Sequence, residues 1–361
     1  MNETHHAAIV RHDDAANVTD LLESRVVATP DIQLFALPRT DGGFDPVTAS
    51  DFHRRVIALA KGFVAAGVKA GDKVGIMCRQ RFEWTLIDFA IAYAGAVLVP
   101  IYETSSPSQI AFVLSDSGAN ALIVENGEML ARFDEVRAEA PGIGAVWRID
   151  HDDLTELVAK GSSTSDAEIA TRRRSAKGND LATLIYTSGS TGTPKGCILT
   201  HANFVDTIRN AAKEMHEVIY VGSSTVLFIT AAHIFARVVS QLAVYAGVTV
   251  THQPDTALLL PTLQSFKPTF LLAVPRVFEK VYNSAEQKAE ASGKGDIFRL
   301  ATKTAIEYSM ALDAGRVPLG LRLKFAALDR LVLSKLRHAM GGRVEFAVSG
   351  SAPLGLRLGH Y

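Results

Sequence analysis

The feature that most constrains this chain is an alternation of short runs rich in Val, Ile and Leu with longer helical stretches. KVGIM (73–77), AVLVPIY (96–102), ALIVE (121–125) and AVWRI (145–149) read as strands without polar alternation, as strands covered on both faces do. Between the first two lies RFEWTLIDFAIAYAGA (81–96), a mostly apolar helix, and Ser106 with Pro107 opens a further one. Ahead of them, DFHRRVIALAKGFVAAGV (51–68) places Phe52, Val56, Leu59 and Phe63 on one helical stripe, with Ser50 or Asp51 positioned to cap its start and Gly67 its end. Strands alternating with helices predict an α/β chain of layered, mainly parallel sheets flanked by helices.

The same grammar resumes after residue 181 in TVLFIT (225–230), VTVTH (248–252), TFLLAVP (269–275) and VEFAVSG (344–350). The intervening 160–180, rich in Gly, Ser, Thr and charge, reads as a connector, and its Arg172, Arg173 and Arg174 as a solvated loop. The expected division is therefore a first α/β subdomain with connector over 1–180 and a second over 181–361. At 361 residues with 48% hydrophobic positions the chain can bury a large core.

Thirty-seven Lys and Arg against 38 Asp and Glu leave a net charge of −1, so no global field draws it to nucleic acid. Cys78 and Cys197 form no CxxC or zinc spacing, and the first residues lack a basic n-region and an apolar h-region. A cytoplasmic setting is expected. In 218–254 the only formal charge is Arg237, yet GSST at 222–225 and the residues His233, Gln241 and His252 interrupt it, so buried strands and a helix are expected there, not a membrane span.

The chemistry concentrates in ATLIYTSGSTGTPKGCILTHANF (182–204). A strand ends at Tyr186, and the next ten residues hold Gly189, Gly192 and Gly196, the hydroxyls of Thr187, Ser188, Ser190, Thr191 and Thr193, then Pro194 and Lys195. Glycines let backbone N–H groups approach an anion, hydroxyls add short donors and Lys195 adds a point charge, which together suit a polyphosphate. A flexible linker needs neither a flanking strand on each side nor the helix near His201 whose Phe204, Ile208, Ala211 and Met215 share a face. A common P-loop places its Lys after the last Gly, whereas Lys195 precedes Gly196, and no GxGxxG is present.

YTSGSTGTPKG (186–196) resembles the signature of the adenylate-forming (AMP-binding) superfamily over all eleven residues. Within that superfamily the chain is most similar to long-chain fatty acid–CoA ligases, on VPIYETSS (99–106), AHIFAR (232–237), KPTFLLAVPRVFEK (267–280) and GGRVEFAVSGSAPL (341–354). The resemblance implies ATP-dependent conversion of a long-chain fatty acid to acyl-AMP, assisted by magnesium, and transfer of the acyl group to CoA. By the same resemblance Thr187, Ser188, Gly189, Ser190, Thr191, Gly192, Thr193 and Lys195 would wrap the phosphates, with Thr187 nearest the magnesium. His233 would lie by the reacting acyl-phosphate, Phe235 would border the acyl or thiol path, and Gly350, Ser351, Ala352 and Pro353 would lie against the adenine, Ser351 standing where many relatives have Gly. PRVFEK (275–280) suggests an apolar tunnel for a long acyl chain.

Basic residues in 316–343, seven Lys/Arg against Asp329 alone, accompany a stripe of Leu321, Phe325, Leu328, Val332 and Leu336, which would either pack on the protein or touch an anionic membrane. Family members continue through a Tyr-Gly-x-Thr-Glu segment, a ribose-binding Asp and a C-terminal domain bearing the adenylation Lys. None of these is in the sequence, so the chain reads as the N-terminal part of a ligase with the C-terminal domain absent. Two alternatives stand beside this: a fatty acyl-AMP ligase delivering to a carrier protein, and a non-catalytic acyl- or nucleotide-binding protein.

Overall fold

The computed structural model describes residues 7–187, 194–350 and 352–361. They form two compact units, one of Met1–Ser223 with Leu227–Pro254 and one of Ser224–Val226 with Asp255–Tyr361. The first contains strands β1 (Gln33–Pro38), β2 (Phe44–Thr48), β3 (Lys73–Met77), β4 (Val97–Ile101), β5 (Ala121–Val124), β6 (Ala145–Arg148), β7 (Leu181–Thr187) and β8 (Lys195–Thr200). Strand β9 (Ser224–Leu227) precedes β10 (Thr249–His252), and the second unit carries β11 (Phe270–Ala273) and β12 (Phe346–Ser349).

The largest sheet has the order β6-β5-β3-β4-β7-β8. Its first five strands are parallel, and β8 returns antiparallel beside β7. Strands β4 and β5 are buried throughout, as their unbroken apolar runs require. Met77, Val99, Ile101, Leu122 and Val124 pack with Ile110, Leu114 and Phe133 in one core cluster. The α/β expectation holds, with antiparallel pairing added where β8 meets β7 and where β2 meets β1.

The helix Ala49–Ala65 buries Phe52, Val56, Leu59 and Phe63, as their spacing predicts. Its cap is Thr48, whose hydroxyl accepts from the Asp51 N–H, not Ser50 or Asp51. Strand β2 runs to Thr48 and holds it extended, so the helix opens two residues earlier than a cap at Ser50 would place it, and Ser50 instead donates to the Pro30 carbonyl. Gly67 ends this segment with a φ of +97°.

The 160–180 stretch is more than a connector. Ser165 caps a helix, Asp166–Arg173, that buries Ile169. Gly161 lies so close to Gly62 that a Cβ on it would stand 2.5 Å from the Gly62 nitrogen, and a Cβ on Gly62 would run into the Leu157 carbonyl. Nor is the arginine run wholly solvated: Arg173 donates to Thr19 and Asp20 at 2.9 and 2.6 Å, and Arg172 to the Val68 carbonyl at 2.9 Å. Composition read the arginines as loop because Val68, Thr19 and Asp20 lie more than 100 positions away.

The helix Thr19–Ala28 and the β1–β2 pair carry no motif that singles them out in the sequence. They are nonetheless central, since Phe35 of β1 packs on Phe52 and Phe82 at 4.7 and 5.1 Å between ring centroids and pairs in register with Val250 of β10. The 218–254 segment supplies buried strand and the helix Ile234–Ala246, and no helix among the described residues is long and apolar enough to cross a membrane.

In the second unit β11 and β12 pair in parallel from Phe270↔Phe346 to Ala273↔Ser349. The helices Pro275–Ala291, Gly295–Asp313, Leu319–Leu328 and Ser334–Ala339 accompany them, with a π-helical turn over Asp329–Leu333 between the last two. Leu328 and Leu333 are buried against Ala301 and Ala305, with Phe325 and Val332 beside them, and the Phe325 ring stacks on Tyr308 at 4.1 Å. The stripe read from the sequence thus packs largely on the protein itself.

Two buried histidines couple this fold to pH. Burial holds His201 down to about 4, with the nearby Arg237 acting in the same direction, and burial holds His252 down to about 4 as well. Both bind protons more readily when unfolded, so their contribution is complete above about 6.5 and is lost as pH falls toward 4. Glu23, held near 2 first by its bond to His53, loses its contribution below its ordinary value of 4.5. Urea midpoints should therefore fall between pH 7 and pH 4.5. His252→Phe, which keeps the ring that stacks on Phe35 at 5.9 Å, should flatten that fall, and an unchanged slope would count against the assignment.

Candidate active site

Strand β7 is bonded on two sides. Its buried Thr183 donates to the Leu98 carbonyl of β4 at 2.5 Å, while β8 pairs with it through Tyr186↔Gly196 and Thr187↔Lys195. Thr187 and Lys195 are therefore the two feet of the Gly- and hydroxyl-rich loop, side by side and exposed. The loop positions Ser188, Gly189, Ser190, Thr191, Gly192 and Thr193 lie outside the described residues.

The base of the loop is braced. The Tyr186 hydroxyl donates to Asp116 at 2.6 Å, its ring stands edge-on to Phe112, and burial followed by the Asp116 charge pushes its pKa up. That ring fills the space a side chain at 196 would need: a Cβ there would lie 3.1 Å from the Tyr186 Cζ. Any side chain at 196 would have to push that ring a few tenths of an ångström aside. A cavity of about 260 Å³ is not part of this base, but one of about 210 Å³ is, lined by Tyr102, Thr104, Gln109, Tyr186 and Pro194. After β8, Thr200 and Asn203 form a reciprocal cap for the helix His201–Glu214, which buries Phe204 and Ile208.

His233 is the N-cap of the helix Ile234–Ala246, exposed at its first turn. Its Nδ1 accepts from the Phe235 N–H at 3.3 Å, which in the neutral ring leaves the proton on Nε2, facing away from the cap. This tautomer is assigned from the hydrogen-bond pattern. The His233 N–H donates to the Thr230 carbonyl at 3.1 Å, and the Thr230 hydroxyl donates to Glu103 at 3.0 Å. Glu103 sits between Tyr102 and Thr104 of the cavity beside Tyr186. The loop carrying His233 is thereby tied to the turn that follows β4.

One turn into the helix, Arg237 is buried in a bidentate pair with Asp88, at 3.1 and 2.6 Å, and Gln241 donates to the same carboxylate at 2.8 Å. The guanidinium also lies 5.8 Å from the Trp84 ring and 5.1 Å from that of Phe204. Motif reading missed Glu103, Thr230, Asp88 and Asp116. A signal existed for one of them: Asp88 is a charge set in a mostly apolar helix, and such a charge needs a buried partner.

In the second unit the Gly350 N–H donates to the Ala273 carbonyl at 3.1 Å, continuing the β11–β12 ladder. Ala352 and Pro353 follow it, exposed, and Ser351 lies outside the described residues. Beside the 275–280 segment an apolar cavity of about 550 Å³ is lined by Phe278, Val281, Tyr308, Phe325 and Leu358.

A parallel α/β sheet whose last parallel strand turns back through a Ser/Thr/Gly loop with a lysine at its foot defines an adenylate-forming N-terminal domain. The chain belongs to the AMP-binding enzyme family, whose family model matches residues 22–360. It is 45% identical over 324 residues to the long-chain-fatty-acid–CoA ligase FadD15 of Mycobacterium bovis, covering 89% of this chain and 54% of that protein. It is also 30% identical to the peroxisomal long chain acyl-CoA synthetase 7 of Arabidopsis thaliana, over 82% of this chain and 43% of that one. The chain spans about half the length of the curated relatives it matches. In fold it is similar to the N-terminal domain of FACL13 from Mycobacterium tuberculosis, with a TM-score of 0.66 at 21% identity over 95% of this chain and 71% of that one.

Substituting Gly196→Ala should force the Tyr186 ring aside and lower stability by about 1–3 kcal/mol. Tyr186→Phe, which removes only the bond to Asp116, should cost about 1 kcal/mol. Urea unfolding of the two variants checks both, and an unaltered midpoint in Gly196→Ala would show that the ring does not fill that space.

Proposed function

We propose that this chain supplies the nucleotide- and acyl-binding part of an AMP-forming long-chain fatty acid–CoA ligase. The observation that carries the reading is the braced hairpin: a phosphate-type loop whose feet, Thr187 and Lys195, are held in register by β7 and β8. In the reaction, a carboxylate oxygen of the fatty acid bonds to the α-phosphorus of ATP. The bond from that phosphorus to the bridging oxygen breaks, and its electron pair departs on pyrophosphate. The sulfur of CoA, its thiol proton lost to solvent, then bonds to the acyl carbon as the carbon–oxygen bond to AMP breaks and its electron pair leaves on the AMP phosphate.

Backbone N–H groups of 188–193 and the Lys195 ammonium would hold the β- and γ-phosphates, where charge grows as pyrophosphate leaves. His233, with Nδ1 occupied by the cap, offers Nε2–H as a donor to an oxygen of the reacting carboxylate or phosphate. Phe235, on the same helical turn, would border the acyl or thiol path. Gly350, Ala352 and Pro353, with Ser351, would lie against the adenine. The apolar cavity beside Phe278 suits a hydrocarbon chain in volume and lining.

Among the described residues no group of three His, Cys, Asp or Glu gathers as a metal site. The Thr187 hydroxyl, exposed at the foot of the loop, would be this chain's oxygen ligand to a magnesium ion bound with the nucleotide. Bound there, magnesium would neutralise phosphate charge during attack.

The setting proposed is the cytoplasm with peripheral contact to the inner membrane face. The surface that supports it differs from the stripe read in the sequence: Leu319, Leu323 and Leu331 are 72%, 65% and 53% exposed, interleaved with exposed Arg322, Lys324 and Arg330. Such a basic and apolar surface matches an anionic bilayer, where long-chain fatty acids partition.

Lys195→Ala should weaken ATP binding about tenfold or more, the loss of one charge-assisted contact. The melting temperature should not move, since Lys195 is exposed at the end of β8. Calorimetric titration with ATP decides this, and an unchanged affinity would remove the loop from nucleotide binding. Leu319→Asp with Leu323→Asp should abolish co-sedimentation with phosphatidylglycerol vesicles and leave the weak phosphatidylcholine background. Undiminished sedimentation would exclude this face.

A further inference from the structure

We infer that Asp88 and Glu103 are positioning residues for His233, acting through a buried ion pair on one side and a hydroxyl bridge on the other. The inference rests on the ligase reading only for what His233 does; the geometry that holds the ring stands independently of it.

The helix Ile234–Ala246 buries Ala236, Val239, Leu242, Ala243 and Val244. Small and medium aliphatic side chains of this kind are interchangeable in a packed layer, and their burial alone does not choose one rotation of the helix over its neighbours. A slip of one residue turns a helix about 100° and shifts it about 1.5 Å, enough to swing an N-terminal ring out of a site. A guanidinium fork closed on a carboxylate has one productive geometry. Arg237 with Asp88 supplies it one turn from His233, and the Arg237 N–H bonds back to the His233 carbonyl at 3.3 Å.

This network is not arranged for stability. Arg237 Nη1 and Gln241 Oε1 are buried and unpartnered, and a buried ion pair often contributes no more than well-packed apolar residues of the same volume. What it adds is direction. The pair joins Asp88 and Trp84 of the helix Phe82–Tyr93 to the helix of His233, and Thr85 repeats the link through Ser240 at 2.8 Å. Phe204, against the same guanidinium, belongs to the helix that leaves the phosphate-loop hairpin. On the N-terminal side, the backbone N–H of His233 donates to the Thr230 carbonyl, and the Thr230 hydroxyl donates to Glu103. His233 is thus held from both directions by groups that do not touch the reacting atoms.

The test uses the apolar replacement Asp88→Leu with Arg237→Met, which removes both charges together and keeps the volume. Each single variant leaves a buried charge alone and should unfold readily; the double variant leaves only the neutral Gln241 amide without its carboxylate partner and should stay folded, melting modestly below the unaltered chain. Long-range ¹H–¹⁵N spectra, with His233→Gln assigning the signals, report the His233 tautomer. In the unaltered chain Nε2 should carry the proton and Nδ1 should accept. In the folded double variant the ring should become a tautomer mixture, and affinity for a non-hydrolysable acyl-adenylate analogue should drop at least tenfold. Glu103→Ala should produce the same spectral change in milder form, and Glu103→Gln, which keeps an acceptor for Thr230, should restore it. A double variant with unaltered tautomer signals would overturn the inference and leave the pair a structural feature. Failure of the unaltered chain to bind the analogue tells against the ligase reading instead, while the spectra still decide the positioning.

Discussion

Strand β7 is the constraint on which the chemistry of this molecule depends. It closes the parallel array by pairing with β4 and in the same seven residues begins an antiparallel hairpin with β8. A strand bonded on both sides cannot slide without breaking both ladders, since a shift of one residue would send Ile185 and Tyr186 to the opposite faces. The feet of the loop at Thr187 and Lys195 inherit that rigidity. Tyr186 adds a lock of its own, because its ring occupies the space beside Gly196 while its hydroxyl reaches Asp116.

Around that base the first unit gathers several carboxylates into linked sets. Asp88, Arg237 and Gln241 share one carboxylate; Glu125 takes the Arg79 N–H and guanidinium and is almost wholly buried. Glu23 collects His53, Tyr93 and Arg173 in the same way. Each joins segments distant in the chain, where apolar packing alone would tolerate small shifts. The pattern accounts for Arg173, which composition alone assigns to a solvated loop.

Local chemistry explains what could be read from the residues. The stripe of Phe52, Val56, Leu59 and Phe63 and the cap at Ser106 depend on neighbours within one or two turns, and both are found as the spacing predicts. The eleven residues 186–196 specify their chemistry through glycine, hydroxyl and lysine content, all local. The start of the helix Ala49–Ala65 was displaced to Thr48 because a strand, β2, ends there, and a strand end is a property of pairing. The basic segment 316–343 is amphipathic by its spacing, but which side meets the protein is set by Ala301, Ala305 and Tyr308 on another helix.

By itself, then, the sequence determined the α/β class, the strands and helices with strong periodicity, and a phosphate-type loop carrying the family signature. The tertiary structure alone decided which charges meet. Arg237 is visible as the only charge in 218–254 and Asp88 as an acid in an apolar helix, yet nothing local says that they pair across 149 positions. It likewise decided that Thr230 reaches Glu103 and that His233 points Nε2 outward from a helix cap. The reason is physical: periodicity and capping are encoded within a few residues, whereas a buried charge selects its partner only after the sheet has brought distant segments together.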